Sequence, residues 1–224
     1  MSTVGLVFVS HSATLAAGVA ELAAQMAPDV KLVPAGGLDG GGIGTDFEAV
    51  SQAAREADSG AGVVLLYDLG SAQMTAELAV ETLDGEVDAV VVDAPLVEGA
   101  VAAAVEAQGG ADRAAVAAAA AKAAAPPEAS ASADTGAADS VELTLRNDVG
   151  LHARPAALLV RALAGLDAEV TVRLGEQEAD AHSVLALMSL GARQGDRIEV
   201  LAKGAGAGQA LERVKGLVER DFDE

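Results

Sequence analysis

Residues 126–137, Pro126-Pro127-Glu128-Ala129-Ser130-Ala131-Ser132-Ala133-Asp134-Thr135-Gly136-Ala137, contain no large apolar side chain. A stretch with nothing to bury has no place inside a core, so it reads as a linker, and at 224 residues the expectation is two modest domains, one on either side of it. The expected organisation is a first domain over 1–125, a flexible Ala/Pro/Ser linker over 126–139 and a second domain over 140–224. As a flexible coil of about 14 residues, the linker separates its ends by roughly 20 Å and holds the domains at an effective concentration near the millimolar range. Transfer of a group between the two domains is therefore feasible.

The first domain opens with Val4-Gly5-Leu6-Val7-Phe8-Val9-Ser10-His11-Ser12, a short valine-rich run ending in a histidine between two serines. The run reads as a buried strand, followed by a helix over 13–26 with Leu15, Val19, Leu22 and Ala23 on one face. His11 then lies in the loop at the carboxyl end of a strand, where open α/β sheets bind ligands. Further strands are expected at 30–34, 63–67 and 87–92, with helices between them. Thr45-Asp46-Phe47-Glu48 has capping-box spacing and predicts a helix over 46–57. Gly70 or Ser71 starts another helix that Asp84-Gly85 can end, and Asp112 caps an alanine-rich one reaching about residue 125. The fold class is α/β, a doubly wound and mainly parallel sheet covered on both faces.

The second domain follows a different order. Strands at 140–145, 168–174, 178–181 and 197–201 and helices at 154–164, 183–190 and 208–219 give β-α-β-β-α-β-α. That order predicts an α+β open-faced sandwich, one antiparallel sheet with helices on one side.

The net charge is −20, and the halves differ: residues 1–125 carry 17 acidic and 4 basic side chains, residues 141–224 carry 14 and 10. Such a field disfavours nucleic acid and anionic membrane as partners and steers proteins with a basic face toward the first domain. The chain has no cysteine, no basic segment before its first apolar run, and no apolar stretch near the roughly 20 residues of a membrane span. A soluble cytoplasmic protein without disulfides or thiolate metal sites is expected.

Two histidines stand at junctions suited to phosphoryl chemistry. His152, in Gly150-Leu151-His152-Ala153-Arg154-Pro155-Ala156, precedes a helix whose first turn tolerates Pro155, and Arg154 adds a fork suited to phosphate oxygens. Near His11, the segments Gly44-Thr45-Asp46, Asp68-Leu69-Gly70-Ser71 and Ala94-Pro95-Leu96-Val97-Glu98-Gly99 all come to one sheet edge. Asp68 can bind one imidazole nitrogen and leave the other as nucleophile. Ser10, Ser12, Thr45, Gly70 and Ser71 are the expected phosphate-binding groups, through hydroxyls or helix-start N–H donors. Taken alone, His152 also reads as a capping histidine, and Asp68 to Ser71 as an ordinary turn and cap.

Asn147 to Ala156, with Met188-Ser189-Leu190-Gly191-Ala192 and Gly195-Asp196, resembles the phosphocarrier HPr of the bacterial phosphoenolpyruvate-dependent phosphotransferase system over about residues 140–222. The resemblance implies that His152 accepts phosphoryl from enzyme I on Nδ1, assisted by Arg154. Ser183 falls where many relatives have a regulatory serine, but His182 stands where lysine is frequent, so a helix N-cap is the expected role of Ser183. Val9 to Ser12, Gly44 to Asp46, Asp68 to Ser71 and Ala94 to Gly99 resemble the mannose-type enzyme IIA family, in particular its dihydroxyacetone branch, over roughly residues 3–124. That resemblance implies a homodimer through the first domain, phosphorylation of His11 on Nε2, and Asp68 as its partner. It also implies an acceptor kinase subunit carrying ADP with Mg.

The expected function is thus a phosphotransferase subunit of a phosphoenolpyruvate-dependent dihydroxyacetone kinase. Phosphoryl passes from phosphoenolpyruvate through enzyme I to His152, to His11 and to ADP, with no bound cofactor or metal of its own. A free HPr is a further candidate partner. The chain stops at Glu224, short of the enzyme I-like segment some relatives carry, so a separate enzyme I is expected. The rival readings are a mannose-type sugar enzyme IIA and a regulatory module whose phosphorylation tunes partner binding.

Overall fold

In the first domain the valine-rich runs become β1 (Gly5–Ser10), β2 (Leu32–Gly36), β3 (Val63–Tyr67) and β4 (Ala89–Val92), all parallel, in the order β2-β1-β3-β4. The computed structural model describes residues 2–124 and 139–223, and the chain divides into two units, Met1–Ala124 and Ala125–Glu224. The expected linker lies outside the described residues except for Asp139, which already belongs to a strand.

Both faces of the parallel sheet are buried, which is why its strands are continuous apolar runs. Leu6, Phe8, Val64 and Leu66 pack with Val19 and Ala23 of α1 (Ala13–Ala24), Ala100 to Ala107 of α4 (Leu96–Gln108) and Val116 of α5 (Arg113–Lys122). Val7, Val9, Val63 and Leu65 pack with α2 (Phe47–Ala57) and α3 (Gly70–Thr82). β1 has no room for a side chain at Gly5, where a Cβ would stand 2.2 Å from the Ala57 carbonyl oxygen.

Four local expectations shift. β4 starts at Ala89 rather than at the expected residue 87. The buried stripe of α1 is Ala16, Val19 and Ala23, while Leu15 and Leu22 are exposed. Helix and sheet approach so closely that a Cβ on Gly36 would lie 3.0 Å from that of Ala16, so small side chains must face inward. β2 starts two residues later than expected, after a turn that leaves Val30 buried. The α2 cap is Asp46, not Thr45: its carboxylate accepts the Ala49 N–H at 2.8 Å, which leaves Glu48 one position short of a capping box.

The second unit is one antiparallel sheet in the order β5-β8-β6-β7, formed by β5 (Asp139–Thr144), β6 (Glu169–Leu174), β7 (Gln177–Asp180) and β8 (Arg197–Lys203). Val170, Val172, Ile198, Val200 and Ala202 alternate inward. They form a core with the apolar sides of α6 (Ala153–Leu163) and α8 (Ala207–Glu219), and α7 (Val184–Ser189) completes the helical layer. Phe222, in a short 3-10 turn after α8, is fully buried at a backbone φ of 57°.

Candidate functional site

β1 and β3 are neighbours in the sheet, yet the chain leaves β1 for α1 on one face and β3 for α3 on the other. Their carboxyl ends therefore flank a crevice at the switch point of the sheet, the place where doubly wound folds bind ligands. His11 and Asp68, the first residues after these two strands, meet there.

Asp68 accepts four hydrogen bonds. Oδ1 takes the His11 Nδ1–H at 2.9 Å and the Leu69 N–H at 2.8 Å, while Oδ2 takes the His11 N–H at 2.9 Å and the Ser10 hydroxyl at 2.8 Å. Burial pushes the Asp68 carboxyl up, but the hydrogen bonds from the His11 backbone, the His11 ring and Ser10 outweigh it and hold the carboxyl below its ordinary value. An ionised carboxylate against Nδ1 places the ring proton there. Nε2 then carries the lone pair, and the Ser71 hydroxyl donates to it at 2.7 Å. The imidazole side chain retains 20 % exposure, so Nε2 is reachable from outside.

Gly70 and Ser71 open α3, where the first N–H groups have no partner within the helix, and the Ser71 hydroxyl lies against His11 Nε2. The glycine-rich loop after β2 returns to the site, and the Gly44 N–H donates to the His11 carbonyl at 2.8 Å. Thr45 pairs with Thr75 at 2.9 Å, which ties this loop to the first turns of α3. Sequence patterns alone do not single out Thr75; its one signal is a polar side chain a turn beyond Ser71. Ser12 caps α1 by accepting the Leu15 N–H. Ser10 departs from its expected part as a phosphate ligand, because it is fully buried and its hydroxyl is committed to Asp68 and to the Ser12 N–H. Tyr67, just before Asp68, donates its hydroxyl to Asp93 at 2.7 Å, and burial together with that bond pushes its pKa up to about 12.

In the second unit, His152 is the N-cap residue of α6, with extended backbone and no capping hydrogen bond from its side chain. His152 and Arg154 are both exposed. Pro155 contributes no N–H, so the donors at this helix start are those of Ala153 and Arg154. Hydrogen bonds hold the segment that leads to His152. Asn147 donates its side-chain amide to the Gly150 carbonyl at 2.9 Å, and the Leu151 N–H bonds the Ala192 carbonyl at 3.0 Å. Gly150 has φ 64°, and a Cβ there would stand 2.1 Å from the Ala192 oxygen, so only glycine fits.

Ser183 caps α7 by accepting the Ala186 N–H at 3.2 Å. His182 is exposed beside Asp180, whose hydrogen bond raises its pKa. A cavity of about 430 Å³ bounded by Leu166, Asp180 and His182 lies in this unit, and neither His11 nor His152 lines it. Among the described residues no three His, Asp or Glu side chains gather as a metal-binding group, and no helix is long and apolar enough to cross a membrane.

Two histidines, one at the switch point of a parallel sheet and one at a helix start on an open-faced sandwich, define a two-unit protein of the phosphotransferase system. The family model described as the PTS system fructose IIA component, of the mannose-type enzyme IIA class, matches residues 5–117, and that for the PTS HPr component phosphorylation site matches residues 140–220. Among curated proteins the chain is 33% identical, over 99% of its length, to the PEP-dependent dihydroxyacetone kinase phosphoryl donor subunit DhaM of Providencia stuartii, covering 50% of that protein. It is 42% identical over 46% of its length to a DhaM of Listeria innocua, of which it covers 82%. A crystal structure of HPr from Thermoanaerobacter tengcongensis is 32% identical over 38% of this chain and 97% of that one, with a TM-score of 0.37. The chain spans about half the length of the first of these curated relatives. It belongs to the DhaM family, with a mannose-type enzyme IIA domain fused to an HPr domain.

Proposed function

We propose that this chain is a phosphohistidine relay, the phosphoryl donor subunit of a phosphoenolpyruvate-dependent dihydroxyacetone kinase. Enzyme I loads His152, His152 passes the group to His11, and His11 passes it to ADP held with Mg on a separate kinase subunit. The observation that carries this reading is the polarised imidazole of His11, with Nδ1 bound to Asp68 and Nε2 open beside Ser71.

At His11 the Nε2 lone pair attacks phosphorus as the P–N bond to His152 breaks, and the departing imidazole of His152 recovers its electron pair. The phosphorylated His11 ring carries positive charge that the Asp68 carboxylate stabilises. Ser71 turns its hydroxyl from Nε2 to a phosphoryl oxygen, and the first N–H groups of α3 receive the others. Arg154 neutralises the group on His152. Exposed Leu15, Leu38, Ile43, Leu69 and Met74 belong to the segments around this edge and suit it to protein partners, enzyme-borne or a free HPr. A homodimer through the first unit, a cytoplasmic location and phosphotransferase activity complete the proposal.

The test is phosphate counting by intact mass after incubation with phosphoenolpyruvate and enzyme I. Two acid-labile phosphates are expected on wild type, one on His11→Ala and none on His152→Ala. Phosphate on His11 without His152 removes the obligatory relay, and no phosphate on either histidine overturns the reading. Mixing the two variants separates transfer within a chain from transfer between chains.

A further inference from the structure

Among the described residues, two of the four donors on Asp68 are backbone N–H groups and a third is the His11 ring. Ser10 supplies the fourth, and it is the side chain besides the histidine that holds this carboxylate. The Ser10 hydroxyl donates to Oδ2 at 2.8 Å and accepts the Ser12 N–H at 3.0 Å, so it grips both the carboxylate and the backbone that flanks His11. It is fully buried, whereas a phosphate ligand has to face the crevice.

The geometry points to Ser10 as a positioning residue that acts through Asp68: it sets the plane of the carboxylate so that Oδ1 faces Nδ1 and the neutral His11 ring keeps its proton there. The inference rests on the reading of His11 as a phosphoryl acceptor at Nε2, because only then does the tautomer decide the rate. A carboxylate with two donors on each oxygen cannot rotate without breaking hydrogen bonds, which is how its direction is stored. Without Ser10, Oδ2 keeps only the His11 N–H, the Ser12 N–H loses its acceptor, and the carboxylate can turn away from the ring. A ring released from Oδ1 can carry its proton on Nε2, where it blocks attack.

Ser10→Ala, Ser10→Cys and Ser10→Thr in the full-length chain test this. The alanine removes the hydroxyl without adding volume, the thiol is a weak donor of similar shape, and threonine keeps the donor on a residue suited to a strand. The readouts are the His11 tautomer, from ring ¹⁵N shifts, and the rate of phosphate appearance on His11 with phosphoenolpyruvate and enzyme I. Wild type is expected to show the Nδ1–H form. Ser10→Ala and Ser10→Cys are expected to show a measurable Nε2–H population and a transfer rate lowered about tenfold, equivalent to about 1.4 kcal/mol. Ser10→Thr restores both, and loading of His152 is unchanged throughout.

A folded Ser10→Ala chain that keeps the wild-type tautomer overturns the inference, as does a wild type with the proton on Nε2 or a folded Ser10→Thr chain that restores neither readout. A tautomer that follows Ser10 in a chain whose His11 never takes up phosphate upholds the positioning role and sinks the relay instead.

Discussion

Asp68→Asn keeps the shape of the side chain and removes the charge and one acceptor oxygen. Each oxygen of Asp68 accepts one backbone N–H, from Leu69 on Oδ1 and from His11 on Oδ2, so either orientation of the amide points its NH₂ group at a backbone donor that cannot adapt. That conflict costs about 1–3 kcal/mol of stability in the first unit. If the NH₂ group lies on the Leu69 side it also faces Nδ1, and the ring can relax only by accepting there and moving its proton to Nε2. In a Ser-His-Asp triad the same inversion lowers kcat about 10⁴-fold. If the NH₂ group lies on the other side, the tautomer survives but the phosphorylated ring loses its counter-charge, about 1–2 kcal/mol or roughly tenfold in rate. Phosphorylation of His11 is therefore expected to slow by between about tenfold and 10⁴-fold, with His152 still loaded by enzyme I. Rapid-quench measurement of acid-labile phosphate on His11, beside a thermal melt, checks both effects. A folded Asp68→Asn chain phosphorylated within about twofold of the wild-type rate, under 0.5 kcal/mol, would refute the role of the carboxylate.

Ser71→Ala removes the donor at Nε2 from an exposed position, so His11 phosphorylation should slow about tenfold while the melting temperature holds, read by the same quench assay and melt. Gly150→Ala forces a Cβ against the Ala192 carbonyl at a left-handed backbone, and calorimetry should find the second unit destabilised by about 1–3 kcal/mol with the first unit's transition unmoved. The Asp68 carboxyl is held below its ordinary value in the folded state, so its contribution is complete above the unfolded value near 3.9 and is lost as pH falls through the lower folded one. Acid titration of first-unit stability should therefore show a slope below about pH 4 that is shallower in Asp68→Asn. His182 has the opposite sign: its raised pKa adds stability below the unfolded value that is lost as pH rises through the folded one, and His182→Gln should remove that dependence from melts of the second unit.

Elements with strong local signals are legible in the amino-acid sequence. β3 matches its expected range because five apolar residues buried on both faces leave no other arrangement. α5 begins where Asp112 can cap it, with its carboxylate on the Ala115 N–H. The α1 stripe differs from expectation because periodicity admits both Leu15-Val19-Leu22 and Ala16-Val19-Ala23, and the choice depends on how near the helix comes to Gly36. Thr45 and Asp46 are both good caps in isolation, and Thr45 is drawn off by Thr75, 30 residues away.

Local sequence settled where the two histidines sit, one closing a strand and one opening a helix, because strand length, caps and Pro155 act within a few residues. The change of composition over residues 126–137 marks a boundary close to the division of the structure into two units. The sandwich order of the second body follows from its alternation of short strands and amphipathic helices. Only the tertiary structure decided what meets His11. Asp68 lies 57 residues away and Ser71 lies 60, and the parallel pairing of β1 with β3 brings both to the ring, one on each nitrogen. The same pairing turns Ser10 inward to Asp68, because a strand residue's face is set by register against its neighbours, and register is a property of the sheet rather than of the run that enters it.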